Sequence, residues 1–258
     1  MKSLRPRLLL VSGVVVGLLA LAWLAYTGPP ILNRVGKLPT DERVVALSFD
    51  DGPNPPHTEA LLSLLEREGI RATFFMTGKH VAAHPETARR VVEAGHYVGN
   101  HAWDESALAG MTPTNARAVL DRTDALLREM GVRGPIDGRA PGLAVGFGGA
   151  LAYRAGGRRH IGATVGGTDW TRAPVEHDPP CDSWLWDWIC PSQNPDRIVE
   201  RVLSRIEPGA IIVLHDGHDA VDGVDRSGTV EATRRLIARL REQGYRFAAV
   251  QDFIGPAP

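Results

Sequence analysis

The hydrophobic pattern divides the chain into a long apolar start and an alternating remainder. Residues 8–26 carry no charged side chain and follow a short segment that contains Lys2, Arg5 and Arg7. An apolar stretch of this length nearly crosses the hydrocarbon core of a bilayer. We therefore expect residues 1–26 to be an uncleaved signal anchor or a cleaved signal peptide, with the rest of the chain exported in both cases.

From Val44 onward, short apolar runs alternate with amphipathic segments. The β-branched run at 44–49 predicts a buried strand, and the leucine spacing of 57–69 predicts a helix that ends at Gly69. The same alternation continues almost to the end of the chain. Further strands are expected at 72–77, 96–101, 135–141, 160–166, 209–217 and 245–250, and further helices at 85–95, 112–131, 148–157, 195–206 and 228–244.

Strict alternation of this kind indicates parallel strands joined by helical crossovers. About seven β/α units fit either a barrel or an open wound sheet. The Pro- and Gly-bearing residues 27–43 predict a linker in front of one domain over 44–254. A length of 258 residues suits a single sizeable domain, and a net charge of −1 without a basic stretch gives no support to nucleic-acid binding.

Polar side chains of the kind used in catalysis stand where the predicted strands end. In parallel α/β folds the carboxyl ends of the strands meet on one face, where active sites lie. Adjacent carboxylates repel each other, but a bound cation would offset that repulsion, and the carboxylate that is not a ligand could take a proton from water. The strand-end residues are Asp50, Asp51, His101, Arg139, Asp169, His215 and Asp216.

The segments around these residues resemble the ordered motifs of the polysaccharide deacetylases, the NodB-homology or carbohydrate esterase family 4 enzymes. The matching segments read SFDDGP, GNHAWDE, GRAPG, TDW and VLHDGH, and the resemblance extends from about Val44 to Phe253. The first and last motifs match closely, and the middle ones are looser. The resemblance implies a distorted (β/α)7 barrel, preceded here by the N-terminal hydrophobic helix, and a hydrolase that removes acetyl groups from sugars with one divalent metal ion.

The resemblance also implies a role for individual residues. It makes Asp50 the general base and Arg139 the residue that orients this base. The acid comes from His215, which is paired with Asp169. The remaining implied residues are the metal ligands Asp51 and His101 and the substrate contacts Gly142, Trp170 and Leu214.

The second motif departs from the family at its last position. The family has a second histidine there, whereas this chain has Glu105, one helical turn after His101. We expect Glu105 to complete the metal site; the alternatives are a weak two-ligand site, Asp104 as the ligand, or loss of metal and activity. Zinc is the first choice, with manganese, cobalt or nickel as alternatives. A second carboxylate ligand predicts a weaker Lewis acid and a higher pH optimum than a second histidine.

An insertion after the fourth motif contains both cysteines of the chain and three alternating tryptophans. Export would allow a disulfide between Cys181 and Cys190, with two free thiols as the alternative. Trp184, Trp186 and Trp188 could form a small core that anchors the loop, stack on sugar rings, or contact a membrane.

We therefore predict a metal-dependent hydrolase, membrane-anchored or secreted, that removes acetyl groups from N-acetylated amino sugars in a cell-surface polysaccharide, peptidoglycan or glycolipid. An O-acetyl esterase of the xylan type is the near alternative, because only the leaving group differs. A catalytically inactive carbohydrate-binding protein is the alternative from another class. The expected partners are an acetylated glycan and, through the N-terminal helix, a membrane; the sequence leaves the polymer and the oligomeric state open.

Overall fold

The computed structural model describes residues 33–104, 106–171, 191–218 and 221–255, together with Gly17. Short parallel strands form the centre of this part of the chain, and helices cover them. The strands are β1 (Arg34–Val35), β2 (Val44–Asp50), β3 (Thr73–Met76), β4 (Tyr97–Asn100), β5 (His160–Ile161), β6 (Val165–Gly166), β7 (Ile211–His215) and β8 (Arg246–Phe247). The helices are α1 (His57–Arg67), α2 (Gly78–Ala83), α3 (Pro85–Glu93), α4 (Pro113–Glu129), α5 (Gly146–Ala155), α6 (Pro195–Leu203), α7 (Ser227–Glu242) and α8 (Val250–Ile254), with 3-10 turns at Leu108–Gly110 and Pro141–Leu143.

Strand β2 is the centre of the sheet, and all seven of its residues are buried. A continuous β-branched and apolar run suits a strand that is covered on both faces. The main sheet has the order β4-β3-β2-β7-β6, with β8 paired to the start of β2, and every pairing among the described residues is parallel. The register places Asp50 opposite Phe75 on one side and His215 on the other, so these strands end at the same level.

The helices bury one apolar side each against the sheet. In α1, Leu61, Leu64 and Leu65 join the main core, where the rings of Phe49 and Phe74 stack with centroids 5.0 Å apart. Each buried leucine contributes on the order of 1.5–3 kcal/mol relative to an exposed one. The leucine spacing that predicted this helix therefore also explains why it packs where it does.

Helix α4 begins where its sequence predicts. The hydroxyl of Thr112 accepts a hydrogen bond from the backbone N–H of Asn115, and Pro113 occupies the first helical turn. This cap satisfies one of the otherwise unpaired N–H groups, and proline loses nothing at a position whose N–H has no partner in the helix.

Two predicted strands are shorter than expected. The segment at 135–141 contributes only isolated parallel bridges, through which Gly138 pairs with Asn100 and with His160. The segment at 160–166 is divided into β5 and β6, because its two halves pair with different neighbours. The α/β class with parallel sheets is confirmed by these pairings.

The last predicted strand, 245–250, is wrong in its second half. Only Arg246 and Phe247 pair with β2, and Val250 already begins α8. The carboxylate of Asp252 accepts a hydrogen bond from the backbone N–H of Ala249, which favours the start of a helix at this point. The apolar run was too short to decide between strand and helix.

The residues before β2 contribute to the fold. Within the predicted linker, β1 pairs with β5, and the buried Leu38 donates its N–H to the carbonyl of Gly209 at 2.8 Å. Apart from Gly17, the predicted anchor at 1–26 lies outside the described residues. Among the helices of the described ranges, none combines the length and apolar character that a membrane crossing requires. The anchor and the division into domains stay predictions.

Candidate active site

Asp50 and Arg139 form a buried ion pair at the end of β2. Nη1 of Arg139 donates to Oδ1 of Asp50 at 2.7 Å, and both side chains are almost completely excluded from solvent. The second carboxylate oxygen, Oδ2, lies 3.9 Å from Nε2 of His101. The arginine therefore uses one oxygen of Asp50 and leaves the other facing the imidazole.

Arg139 is held in place by three acceptors besides Asp50. Its Nε and Nη2 donate to the carbonyls of Ile161 and Gly162 at 3.0 and 2.8 Å, and Nη1 also reaches the hydroxyl of Ser48 at 2.9 Å. The guanidinium carbon lies 4.2 Å from the centroid of the Phe75 ring. A planar, permanently charged fork fixed in this way can orient a carboxylate in a single direction.

Asp51 and His101 face each other beside this pair. Nε2 of His101 lies 3.2 Å from Oδ1 of Asp51, and both side chains are buried. Nδ1 of His101 lies 2.8 Å from the carbonyl oxygen of Arg139. Because a carbonyl oxygen can only accept, Nδ1 carries a hydrogen and Nε2 of the neutral ring points a lone pair at the carboxylate.

Two acceptors that face each other in a buried site need a positive charge between them. Without a cation, a proton can fill this role: burial lowers the pKa of His101, but the carboxylates of Asp50 and Asp51 outweigh burial and raise it above its ordinary value. Burial likewise raises the pKa of Asp51, while the hydrogen bond and charge of His101 lower it to well below the usual range. Imidazole and carboxylate are also the donor types that bind zinc, so this pair fits two of the ligand positions of a divalent metal ion.

Glu105, the third expected ligand, lies outside the described residues. Within the described ranges, no group of three or more His, Cys, Asp or Glu side chains is arranged to hold a metal ion. The metal ligand set of Asp51, His101 and Glu105 therefore stays a prediction, with its first two members brought together as expected.

The loop that carries His101 is fastened to α2. The N–H groups of Gly78 and Lys79 donate to the carbonyls of Ala102 and Trp103 at 3.0 and 2.9 Å. The guanidinium of Arg122 stacks on the Trp103 ring, with its carbon 3.2 Å from the ring centroid. This tryptophan is therefore occupied in fixing the loop, and its stacked face is covered.

Asp169 and His215 form the third pair, across the ends of the strands from Asp50. Oδ1 of Asp169 lies 2.8 Å from Nδ1 of His215, and Oδ2 accepts the backbone N–H of His215 at 2.9 Å and the hydroxyl of Thr229 at 2.7 Å. Burial lowers the pKa of His215, but Asp169 and the more distant Asp51 and Asp50 outweigh this and raise it to about 9. The imidazole is therefore protonated at neutral pH and can donate a proton from Nε2.

Four residues other than glycine adopt left-handed backbone conformations among the described residues, and each stands in or next to a strand-end motif. Their φ angles are 72° at Asp51, 61° at Ala102, 59° at Leu143 and 53° at Thr168. A non-glycine residue in this region is uncommon and costs on the order of 1 kcal/mol or more. Such strain clusters at functional sites, where the surrounding contacts over-determine the backbone.

The glycines of the first and last motifs are required by close approach. A Cβ atom at Gly52 would collide with the carboxylate of Asp216, and one at Gly217 would collide with the carbonyl oxygen of Asp51. The two motifs therefore contact each other through positions that only glycine can fill. This contact brings the Asp50–Asp51 pair beside His215.

Several residues around the site were not singled out, or were not given a role, by sequence reasoning. Ser48 stands two positions before Asp50 on the same side of β2, so the strand period would have identified it. Arg226 had no recognisable motif, yet it is fully buried and donates to the carbonyls of Gly217 and Asp169, both at 2.8 Å. The carboxyl of Asp216 is buried against Thr58, and burial raises its pKa to about 7.

The predicted substrate contacts have different environments. Trp170 is 47% exposed, whereas Leu214 is completely buried in the main core. Gly142 is exposed and has a φ of 58°. The structure holds no substrate, so all three stay predictions; Cys181, Cys190 and the tryptophans at 184, 186 and 188 lie outside the described residues.

A cavity of about 510 Å³ lies at the opposite ends of the strands. Its lining includes His96 and Tyr97, which precede or begin β4, and the buried pair of Asp137 and Arg159. None of the strand-end side chains described above lines it. This cavity is therefore separate from the candidate site that the three ion pairs form.

Comparison with known proteins identifies the class of this site. The family model for polysaccharide deacetylase matches residues 37–146. A peptidoglycan-N-acetylglucosamine deacetylase from Bacillus cereus is 30% identical over 84% of this chain and 91% of its own length. A chitooligosaccharide deacetylase from a Bradyrhizobium strain is 34% identical over 79% of this chain and 87% of its own length.

Solved structures agree with the sequence relatives. The crystal structure of the Bc1960 peptidoglycan N-acetylglucosamine deacetylase superposes with a TM-score of 0.72, covering 86% of this chain and 92% of the other at 24% identity, which supports the fold. The chain therefore belongs to the polysaccharide deacetylase family. The predicted enzyme class, a hydrolase that acts on acetylated carbohydrates, is confirmed by these relatives.

Proposed function

We propose that this protein is a divalent-metal-dependent deacetylase that hydrolyses N-acetyl groups on amino sugars of an extracytoplasmic glycan such as peptidoglycan. The observation that carries the proposal is the meeting of three ion pairs at one end of the sheet, in which every side chain is buried except the partly buried His215. These are Asp50 with Arg139, Asp51 with His101, and Asp169 with His215. Each pair supplies one of the requirements of amide hydrolysis: a base, a cation site and an acid.

The base is Asp50. One of its oxygens is fixed by Arg139, so the other can accept a proton from a water molecule that attacks the acetyl carbonyl carbon. The acid is His215, whose Nδ1 is bound to Asp169 and whose protonated ring can deliver the Nε2 proton to the departing amine. The C–N bond breaks, and the products are acetate and a free amino sugar.

The metal ion would be held by Asp51, His101 and, as the sequence predicts, Glu105. When bound, it supplies Lewis acidity for the carbonyl oxygen and for water. The carbonyl of Arg139 fixes the tautomer of His101 in which Nε2 is free to bind a cation. Zinc is our first choice of metal ion. A second carboxylate ligand makes manganese more favourable than it would be at a site with two histidines.

We also infer that the strands close into the distorted (β/α)7 barrel of the family. Two observations support this closure. First, the isolated bridges of Gly138 connect β4 to β5. Second, β6 follows β5 after a few residues and pairs with β7. The apolar residues 8–26 behind three cations support an exported catalytic domain, either anchored or released by cleavage.

The proposal is tested by measuring acetate release from N-acetylglucosamine oligomers, peptidoglycan and acetylated xylan. We expect release from the first two, loss of this release with a chelator, and its return when zinc, cobalt or manganese is added back. Release from xylan alone would support the O-acetyl esterase instead. No release from any substrate with any divalent ion would contradict an enzyme and leave a carbohydrate-binding role.

A further inference from the structure

Two large hydrophobic side chains are exposed among the described residues, Trp170 at 47% and Phe147 at 59%. Single exposed apolar residues are common and need no explanation. Both, however, stand close in sequence to residues of the candidate site. Trp170 directly follows the catalytic Asp169, and Phe147 lies in the first turn of α5, shortly after Arg139.

The topology places Phe147 on the catalytic face. In an α/β fold with parallel strands, a helix that follows a strand begins at the face where the strand's carboxyl end lies. Gly138 forms parallel bridges to β4 and β5, so the chain at Gly138 runs in the same direction as these strands. Arg139, the next residue, therefore lies towards the catalytic face. The exposed Gly142 and the 3-10 turn then lead directly into α5.

The backbone beneath Phe147 is fixed by close packing. A Cβ at Gly146 would collide with the backbone of Ala109, and one at Gly148 would collide with the carbonyl oxygen of Met111. The start of α5 is therefore packed directly on the 3-10 turn at Leu108–Gly110, which follows the loop of His101. Phe147 is the only large side chain in this glycine-rich turn, and it is the one that projects into solvent.

We propose that Phe147 is a stacking surface for a sugar ring other than the one that loses its acetyl group, so that the enzyme favours an oligomeric or polymeric glycan over a short one. This inference rests on the proposed function and names the substrate class more closely. A flat ring on a rigid helix offers contact area at low entropic cost, because neither the backbone nor a long side chain must be ordered on binding.

The test uses the full chain with three substitutions, Phe147→Ala, Phe147→Leu and Phe147→Trp. For the N-acetylglucosamine pentamer we expect Ala and Leu to raise KM by about three- to tenfold with kcat unchanged, and Trp to retain the wild-type value. The leucine variant is the matched control, because it keeps apolar area and removes the flat ring. KM for the disaccharide should not change in any variant.

A binding measurement separates the failure of this inference from the failure of the proposed function. Calorimetry measures pentamer binding in protein that carries Asp50→Asn and therefore does not turn the pentamer over. We expect Phe147→Ala and Phe147→Leu to raise the Kd for the pentamer by about three- to tenfold in this background. If wild type turns over the pentamer but these variants match it in KM and affinity, Phe147 has no such role and the deacetylase proposal stands. If wild type releases no acetate, the proposed function fails, and the pentamer affinities alone decide whether Phe147 contacts glycan.

Discussion

Two buried arginine–aspartate pairs, Arg139 with Asp50 and Arg159 with Asp137, differ in how they use the carboxylate. Arg159 binds Asp137 through two parallel contacts, Nε to Oδ1 at 2.8 Å and Nη2 to Oδ2 at 2.7 Å, and donates further to the carbonyls of Ile254 and Gly255. Arg139 binds Asp50 through Oδ1 alone. The first pair engages both carboxylate oxygens, and the second leaves one available.

This difference distinguishes a structural ion pair from the pair that we propose to be catalytic. Both pairs are buried, so burial by itself identifies neither role. The Asp137 pair lies beside the cavity at the amino ends of the strands. Arg159 also donates to the carbonyl of Gly255 and so connects the C-terminal end of the described chain to the segment that contains Asp137. At the other end, the open oxygen of Asp50 faces His101, where a water molecule and an acetyl group can approach.

The largest effect is expected for Asp50→Asn. The amide oxygen can still accept from Arg139, so the fold should remain, but the residue can no longer take a proton from water. We expect kcat per folded molecule to fall by about 10²- to 10⁴-fold, and the melting temperature to fall as well, because Arg139 loses its buried counter-charge. Steady-state kinetics and circular dichroism measure the two quantities, and a variant that keeps more than a tenth of the wild-type kcat would remove Asp50 from the role of base.

Asp137→Asn should lower stability without lowering kcat. Removing one charge of a buried bidentate pair leaves Arg159 without its counter-charge, and we expect the free energy of unfolding to fall by about 3 kcal/mol. The kcat per folded molecule should match wild type, because Asp137 lies away from the catalytic face. Urea unfolding and active-site-normalised kinetics form the test; a loss of kcat without a loss of stability would reverse the assignment of the two pairs.

Asp169→Asn should change the pH dependence. The pKa of His215 is raised to about 9 by Asp169, so the stability from this pair is complete below the unfolded value of about 6.5 and is lost as pH rises through about 9. The alkaline limb of kcat/KM should lie near 9 in wild type and move towards about 6.5 in the variant. Profiles that coincide would show that His215 is not the acid.

The smallest effect is expected for Glu105→His, which exchanges one predicted ligand for another. A second imidazole reduces the negative charge that the ligands donate to the metal ion, so the pH optimum should decrease and the ratio of activity with zinc to activity with manganese should rise. The optimum is measured with each metal added to chelated protein. Identical metal preference and pH profile in the two proteins would contradict a ligand role for Glu105.

The alternation of strands and helices could be predicted because it depends on local periodicity. The strand ending at Asp50 and the helix capped by Thr112 were both located in this way. The short pairings of β5, β6 and β8 could not, because two-residue strands are decided by their neighbours across the sheet rather than by their own sequence. Val250 illustrates this limit, since the same apolar residues suit a strand or a helix.

The strand-end residues could be selected from sequence because parallel strands present their carboxyl ends on one face. This reasoning, with the motif resemblance, predicted that Asp50, Arg139 and His215 lie at the same end of the sheet, and the structure brings them together there. It could not find Arg226, whose contacts are with backbone carbonyls that are distant in sequence and leave no pattern of residue types. It also could not show that His101 has its tautomer fixed by a carbonyl, since that depends on atomic positions.

Arg139 serves the site through two different parts of the same residue: its guanidinium holds Asp50, and its carbonyl accepts from His101. A displacement of this backbone segment would therefore misalign proton transfer and cation affinity together. Laboratory evolution of the enzyme should find few tolerated insertions between Gly138 and Ala140, whereas the exposed side chain at Phe147 can be replaced and can change which glycans are accepted. One residue thus couples two functions that would otherwise drift independently.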